Sequence, residues 1–102
     1  MRDDVFPGGL LLSPVRALAW DAPDSIAALD VAALGDLLDL EVRPEFLLLG
    51  MGSTLRQPSR SFVRALDALD IGVEAMGSRA AARAWGVLRA EERWIVAALM
   101  PL

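Results

Sequence analysis

The residues best suited to chemistry lie at two places in the second half of the chain, where a short apolar run gives way to small, polar and charged residues. The first place carries Gly50-x-Gly52 and two hydroxyl side chains, and the second carries an acid, a serine and two arginines. Glycines let backbone amides approach an anion, arginines clamp it, and a carboxylate can act as a base. The candidate ligand-binding or anion-binding residues are therefore Gly50, Gly52, Ser53, Thr54, Glu74, Ser78, Arg79 and Arg83.

Each candidate residue also has a purely structural interpretation, and for these residue types a structural role is more frequent than a ligand-binding one. Gly50-x-Gly52 lacks the third glycine of a dinucleotide fingerprint and the Gly-Lys of a P-loop, so a tight turn explains it. Glu74 lies in an apolar strand, where burial is typical of a functional carboxylate, but an ion pair with Arg83 would account for it too. Ser78 is expected to cap a helix.

The composition excludes most familiar enzyme chemistry. The chain has 102 residues, 55% of them hydrophobic, with no Cys, His or Lys. Disulfides, thiolate nucleophiles, zinc sites built from His and Cys, serine–histidine pairs and Schiff-base lysines are therefore ruled out. We assign no catalytic residue, no metal site and no cofactor, and a non-catalytic protein is favoured over an enzyme.

The net charge of −4 is unevenly distributed along the chain. Residues 1–50 hold nine acids against three arginines, which gives −6, and residues 51–102 hold seven arginines against five acids, which gives +2. An acidic protein without interleaved aromatic residues disfavours nucleic acid as the partner. Near the chain's end, Glu91 and Glu92 are expected to pair with Arg89 and Arg93 on the surface.

The first half predicts a hairpin and a helix. Pro7-Gly8-Gly9 predicts a turn, and strands are expected at Leu10–Leu12 and Val15–Trp20. Asp30 is a good N-cap, and the apolar positions behind it share one face of a helix, which Arg43-Pro44 ends.

From residue 45 onward the pattern alternates between strands and helices. Phe46–Leu49 has no polar alternation and suits a strand covered on both faces. Ser59 is expected to cap a helix, and strands are predicted at Ile71–Met76 and Arg93–Met100, with a further helix over 79–90 between them. The apolar positions of the first of these helices are Phe62, Val63, Leu66 and Leu69.

These elements predict a compact single α/β domain over residues 1–102. Its N-terminal strands fall in 1–22 and a βαβαβ core in 45–101, which gives a mixed, mostly parallel central sheet with flanking helices and an N-terminal β-hairpin. Parallel strands end at one edge of a sheet, where ligands of α/β proteins bind, so 46–49 and 71–76 would bring the candidate residues together in a crevice. The apolar stretches are too short to cross a membrane, which predicts a cytoplasmic protein without membrane insertion.

The second half also resembles a known family. The resemblance is carried, in order, by Pro44–Gly52, Gly72–Arg83, Val87–Arg93 and Ala97–Pro101. It is a domain family of unknown function from bacteria, archaea and mitochondria that includes the mitochondrial assembly factor 3 of respiratory complex I (NADH:ubiquinone oxidoreductase). The resemblance implies a compact α/β domain with a mixed sheet, and partners among respiratory or other membrane-protein subunits.

The chain departs from the family pattern at two places. Residues Ala80–Gly86 stand where the family typically has Ala-Ala-Cys-Arg-Thr-Tyr-Asn. The thiol, hydroxyl, phenol and amide of that pattern are therefore absent, and only the guanidinium of Arg83 is kept. The amino end is also expected to be short, which would leave a sheet edge or the Leu10–Leu12 face free to pair with another chain, including a second copy in a homo-oligomer.

Two functions of different classes follow from these observations. The favoured one is a non-catalytic interaction or assembly-type protein that binds other proteins. The alternative is a small-molecule or anion-binding protein, or an enzyme, in which Glu74 serves as base and Arg83 clamps an anion with the amides of the Gly50–Thr54 loop.

Overall fold

The structure, a computed structural model, describes residues 9–23, 25–53 and 57–101. Two α-helices, α1 (Arg60–Asp67) and α2 (Ser78–Ala90), flank one five-stranded sheet. The strands are β1 (Leu10–Leu12), β2 (Ala17–Ala19), β3 (Phe46–Gly50), β4 (Gly72–Met76) and β5 (Val96–Leu99).

The strand order across the sheet is β2-β1-β5-β3-β4. Strand β3 pairs in parallel with both β4 and β5, whereas β1 is antiparallel to both of its neighbours. Four of the five strands therefore point the same way, and β1 and β2 form the N-terminal hairpin. This confirms the predicted α/β fold with a mixed, mostly parallel sheet. The two strands expected to form the crevice are neighbours, in register from Phe46 opposite Gly72 to Gly50 opposite Met76.

The sheet is covered on both faces, as the unbroken apolar run of β3 predicts. Leu47 and Leu49 pack on one face against α1 and the segment between β2 and β3. Leu48 packs on the other face against α2, where Ala81 is buried. The connections that leave β3 and β4 therefore run to opposite faces, which is the arrangement that usually opens a crevice between two strand ends.

The segment after Asp30 differs from the predicted helix. Asp30 does cap it, accepting a hydrogen bond from the Ala33 N–H at 2.9 Å, but only a 3-10 turn over Val31–Leu34 forms. The indole of Trp20 donates to the Ala33 carbonyl at 2.8 Å. In an α-helix that carbonyl would accept from Leu37, whose N–H bonds instead to Leu34. A tertiary hydrogen bond thus replaces the helical hydrogen bond, and a series of turns instead of a helix places the apolar side chains in the core.

The remaining elements agree with the prediction except at their ends. Ser59 caps α1 by accepting from the Phe62 N–H at 3.2 Å. Phe62 and Leu66 are buried as expected, whereas Val63 and Leu69 are exposed, because the buried stripe of a two-turn helix is narrow. Strands β2 and β5 are shorter than the apolar runs that predicted them.

Candidate functional site

The carboxyl ends of β3 and β4 meet in a closed junction of backbone and one hydroxyl. The Met51 N–H donates to the Met76 carbonyl at 2.8 Å, and the Ser78 N–H donates to the Gly52 carbonyl at 2.9 Å. The Ser78 hydroxyl accepts from the Gly52 N–H at 2.8 Å and donates to the Met100 carbonyl at 2.7 Å. One side chain therefore ties together the loop after β3, the start of α2 and the residue after β5.

The two glycines make this closure sterically feasible. A Cβ on Gly50 would lie 2.8 Å from the Ser78 Oγ and 2.9 Å from both the Ser78 Cα and a methyl of Leu99. A Cβ on Gly52 would lie 2.8 Å from the Pro101 carbonyl oxygen, and its φ of 74° is one that glycine adopts without strain. The glycine pair thus serves close approach between segments of the chain itself, in agreement with the structural interpretation of the motif.

Ser78 does not cap α2, contrary to expectation. Gly77 occupies the N-cap, and Ser78 is the first helical residue, with only 6% of its surface exposed. Glycine is an acceptable cap, so the serine one position later was free to take the buried bridging role. The sequence signal for this bridging serine was the Gly-Ser dipeptide at the start of the helix. It was missed because serine usually occupies the N-cap itself.

The charged candidates lie outside this junction. Arg79 and Arg83 are exposed on α2, and neither forms an ion pair with another described residue. Glu74 is exposed as well, so its expected burial is wrong, because β4 is an edge strand. Glu74 lies opposite Leu48 in the register and therefore on the α2 face of the sheet. Ser53 is exposed beside the junction, and Thr54 lies outside the described residues.

A second cluster, which the sequence did not reveal, lies at the amino ends of β3 and β5. The Glu45 carboxylate accepts from the Arg93 Nη2 at 2.8 Å, from its Nε at 3.1 Å and from the Trp94 N–H at 3.2 Å. The hydrogen bonds from Arg93 hold the pKa of Glu45 below its ordinary value. The expectation that Arg93 pairs with Glu91 or Glu92 is therefore corrected: its partner precedes the neighbouring parallel strand.

The aromatic and backbone groups around this pair hold the strand starts together. The Arg93 guanidinium lies 5.8 Å from the centre of the Phe46 ring. The Trp94 indole donates to the Val42 carbonyl at 2.7 Å, and the Arg89 side chain donates to the Arg93 carbonyl at 2.6 Å. We call Glu45, Arg93 and Trp94 the amino-end clamp.

An open groove lies next to the amino-end clamp, between the segment before β3 and the turn before β4. Its volume is about 390 Å³, and its lining residues are Leu38, Leu40, Glu41, Arg43, Leu69 and Ile71. An ion pair of 3.7 Å between Arg43 and Asp70 spans the two segments. Asp70 has φ 62°, which aspartate tolerates better than most residues, and this turn places Leu69 and Ile71 on the groove. We refer to these six lining residues as the amino-end groove.

Two further features are absent from the described residues. They contain no group of three or more acidic side chains placed to hold a metal ion. Neither of their helices combines the length and apolar character that a bilayer crossing requires.

Comparison with known proteins gives relatives along nearly the whole chain. Residues 1–100 match the model of a family described as a protein of unknown function (DUF498/DUF598). An uncharacterised protein of Rhodobacter capsulatus is 37% identical over 98 residues, which cover 96% of this chain and 73% of the relative.

Solved structures of similar proteins share the fold. A crystal structure from Bordetella parapertussis is 34% identical, with a TM-score of 0.80 over 92% of this chain and 79% of that one. A solution structure from Bordetella pertussis, described as a Mth938-like domain, is 29% identical, with a TM-score of 0.74 over 91% of this chain and 73% of that one. With a matching family model and relatives of this similarity, the chain belongs to the DUF498/DUF598 family of proteins of unknown function.

Proposed function

We propose that this protein is a non-catalytic interaction protein of the assembly type, and that it holds a partner polypeptide in the amino-end groove. The observation that carries the proposal is the contrast between the two ends of the parallel strands. The crevice position is closed by Gly50, Gly52 and Ser78, whereas the amino-end groove is open to solvent and about 390 Å³ in volume.

Four of the six residues that line the amino-end groove are apolar, which suits a hydrophobic side chain of a partner. Ile71 is buried at 2% exposure, Leu38 and Leu40 are partly buried, and Leu69 is 43% exposed. Seating an apolar side chain here would remove the exposed surface of Leu69 and of the two partly buried leucines from water, which is favourable by about 25 cal/mol per Å² of apolar area.

The rim of the groove is acidic overall. Glu41 and Arg43 belong to the lining, and Asp39 and Asp70 are their exposed neighbours along the chain or across the ion pair. The lining and its exposed neighbours thus hold three carboxylates and one guanidinium, which lies 3.7 Å from the Asp70 carboxylate. A partner with basic residues on either side of an apolar anchor complements this surface, because opposite charges steer association and discriminate against acidic partners.

An apolar segment flanked by lysines and arginines is characteristic of the ends of membrane-spanning helices on the side that carries the positive loops. The family resemblance implies partners among respiratory or other membrane-protein subunits, and the acidic rim is consistent with such partners. The proposed occupant is therefore a juxtamembrane segment of a membrane-protein subunit.

Synthetic peptides of about 12 residues test the proposal on the isotope-labelled full chain by NMR. One peptide carries leucine and phenylalanine flanked by lysine and arginine, and a matched peptide replaces the basic residues by glutamate. We expect the basic peptide to shift the amide signals of Leu40, Leu69 and Ile71, and the acidic one to bind at least about tenfold more weakly.

Two matched variants locate the binding. Leu69→Lys should weaken binding of the basic peptide about tenfold or more, since it places a charge among the apolar lining residues and that charge repels the peptide. Val87→Lys changes an apolar residue on α2 that is 61% exposed, against 43% for Leu69, and should leave binding unchanged. Binding that tolerates Leu69→Lys, or that is absent, contradicts the proposal. Inorganic phosphate shifting Ser53, Arg79 and Arg83 instead would favour the anion-binding alternative.

A further inference from the structure

Strand β2 is an outer edge of the sheet, and all three of its residues are exposed. Within the described residues, no further strand lies beyond it. Two exposed apolar side chains belong to this edge, Val15 at 68% and Leu18 at 46% exposure. Unprotected edges of this kind are templates for pairing with another chain.

The hydrogen bonds to β1 show which backbone groups of this edge are free to pair. The Ser13 N–H donates to Arg16 and the Trp20 N–H donates to Gly9, and the register places Leu18 opposite Leu11. Antiparallel ladders alternate, so the N–H and C=O groups of residues 16, 18 and 20 point towards β1. The N–H and C=O groups of Ala17 and Ala19 therefore point outward, away from the sheet.

We infer that two copies of this chain pair through β2 in an antiparallel, two-fold arrangement centred on Leu18, which joins their sheets into one of ten strands. The outward groups of Ala17 in one copy bond to those of Ala19 in the other, and the two-fold repeats this pair. The result is four hydrogen bonds between backbones. Leu18 then lies directly opposite Leu18 of the second copy, on the same face of the joined sheet.

The edge is complementary to itself in size and charge. The residues on both sides of Leu18 are alanines, so no bulky side chain obstructs the approach. The antiparallel arrangement brings Arg16 of one copy to the end of the strand where Asp21 of the other lies, so that each end carries opposite charges. A parallel arrangement would instead place the two Arg16 side chains beside each other.

The other edge of the sheet does not have this property. The equivalent two-fold pairing around the middle of β4 would set the exposed Glu74 opposite Glu74 of a second copy. Like charges directly opposite destabilise a strand pair. The self-association is therefore specific to β2, and it lies across the sheet from the amino-end groove, so it is independent of the proposed function.

Sedimentation of the purified full chain over a range of concentrations tests the pairing. A three-residue strand buries a small interface, so we expect a reversible dimer with a dissociation constant on the order of micromolar or weaker. Leu18→Lys and Leu18→Glu should each abolish the dimer, because like charges then face each other, and an equimolar mixture of the two should restore it. Val87→Lys, on α2, should have no effect.

A cross-link fixes the register. The chain contains no cysteine, so Leu18→Cys adds a single thiol. Opposed residues of a pair without backbone hydrogen bonds have Cα atoms about 4.5 Å apart, within the range that a disulfide spans. Mild oxidation should cross-link Leu18→Cys and not Val87→Cys. A wild-type chain that stays monomeric, a dimer that survives both charged variants, or a mixture that fails to re-form one would overturn the inference.

Discussion

The two ends of strand β3 are built in opposite ways. At its carboxyl end, Gly50 and Gly52 allow neighbouring segments to approach to van der Waals contact, and the Ser78 hydroxyl bonds to backbone on both sides. At its amino end, the long side chains of Glu45 and Arg93 span the distance between strand starts. Small residues bring the segments into contact at one end, whereas long side chains bridge them at the other, where the amino-end groove lies.

This difference shows that topology alone does not make a crevice. The connections from β3 and β4 diverge to opposite faces, as in sheets that bind ligands at this position. Here the space between them is occupied by the chain's own backbone, because glycine at position 50 admits the first turn of α2 and the Leu99 side chain. The amino-end groove lies at the other end of these strands.

Gly50→Val should have the largest effect on this arrangement. A Cβ at this position would already lie 2.8–2.9 Å from Ser78 and Leu99, and valine adds two further methyl groups. Overpacking of this kind costs up to about 3 kcal/mol, which chemical denaturation of the purified chain will measure.

Gly86→Ala is the matched control for that variant. A Cβ on Gly86 meets nothing within 4 Å, and the residue lies inside α2, so alanine should stabilise the protein by up to about 1 kcal/mol. If Gly50→Val and Gly86→Ala were equally tolerated, the carboxyl end would be looser than the distances indicate.

Ser78→Ala should have an effect of comparable size at the same end. It removes the acceptor of the Gly52 N–H and the donor to the Met100 carbonyl, both of which remain buried. Buried backbone groups without partners cost about 1–3 kcal/mol. Ser53→Ala, an exposed serine beside the junction, should change the denaturation midpoint little. A loss of equal size in both variants would contradict the bridging role of Ser78.

The fold was largely predictable because the strongest signals in the chain are local ones. Three of these signals depend only on residues close together in the chain. They are the unbroken apolar run of β3, the caps at Asp30 and Ser59, and the alternation of strands with helices. The helix expected after Asp30 failed for a non-local reason. Trp20, more than ten residues earlier in the chain, takes the carbonyl that the helix would have needed.

The site was less predictable because its character depends on contacts between distant segments. The sequence located Gly50, Gly52 and Ser78 together, but their closeness to Leu99 and Met100 depends on where β5 lies. Glu45 and Arg93 are 48 positions apart, and only the placement of β5 beside β3 makes them neighbours. The residue types that close a junction between segments are the same as those that bind a ligand, so the sequence alone does not distinguish the two roles.

Among the described residues, a titratable carboxylate holds the amino end and a hydroxyl holds the carboxyl end, so acid should weaken the amino end first. Arg93 keeps the pKa of Glu45 below its ordinary value of 4.5, so the pair stabilises the fold fully above that pH, and the stabilisation is lost as the pH falls through the lowered value. The gap in melting temperature between wild type and Glu45→Gln should therefore be small at neutral pH and vanish in acid. Hydrogen exchange gives the local counterpart: the Trp94 amide, which donates to Glu45, should lose protection in acid before the Gly52 amide, which donates to a hydroxyl that does not titrate. Equal loss at both amides would mean that the two ends unfold together and that their different construction has no energetic consequence.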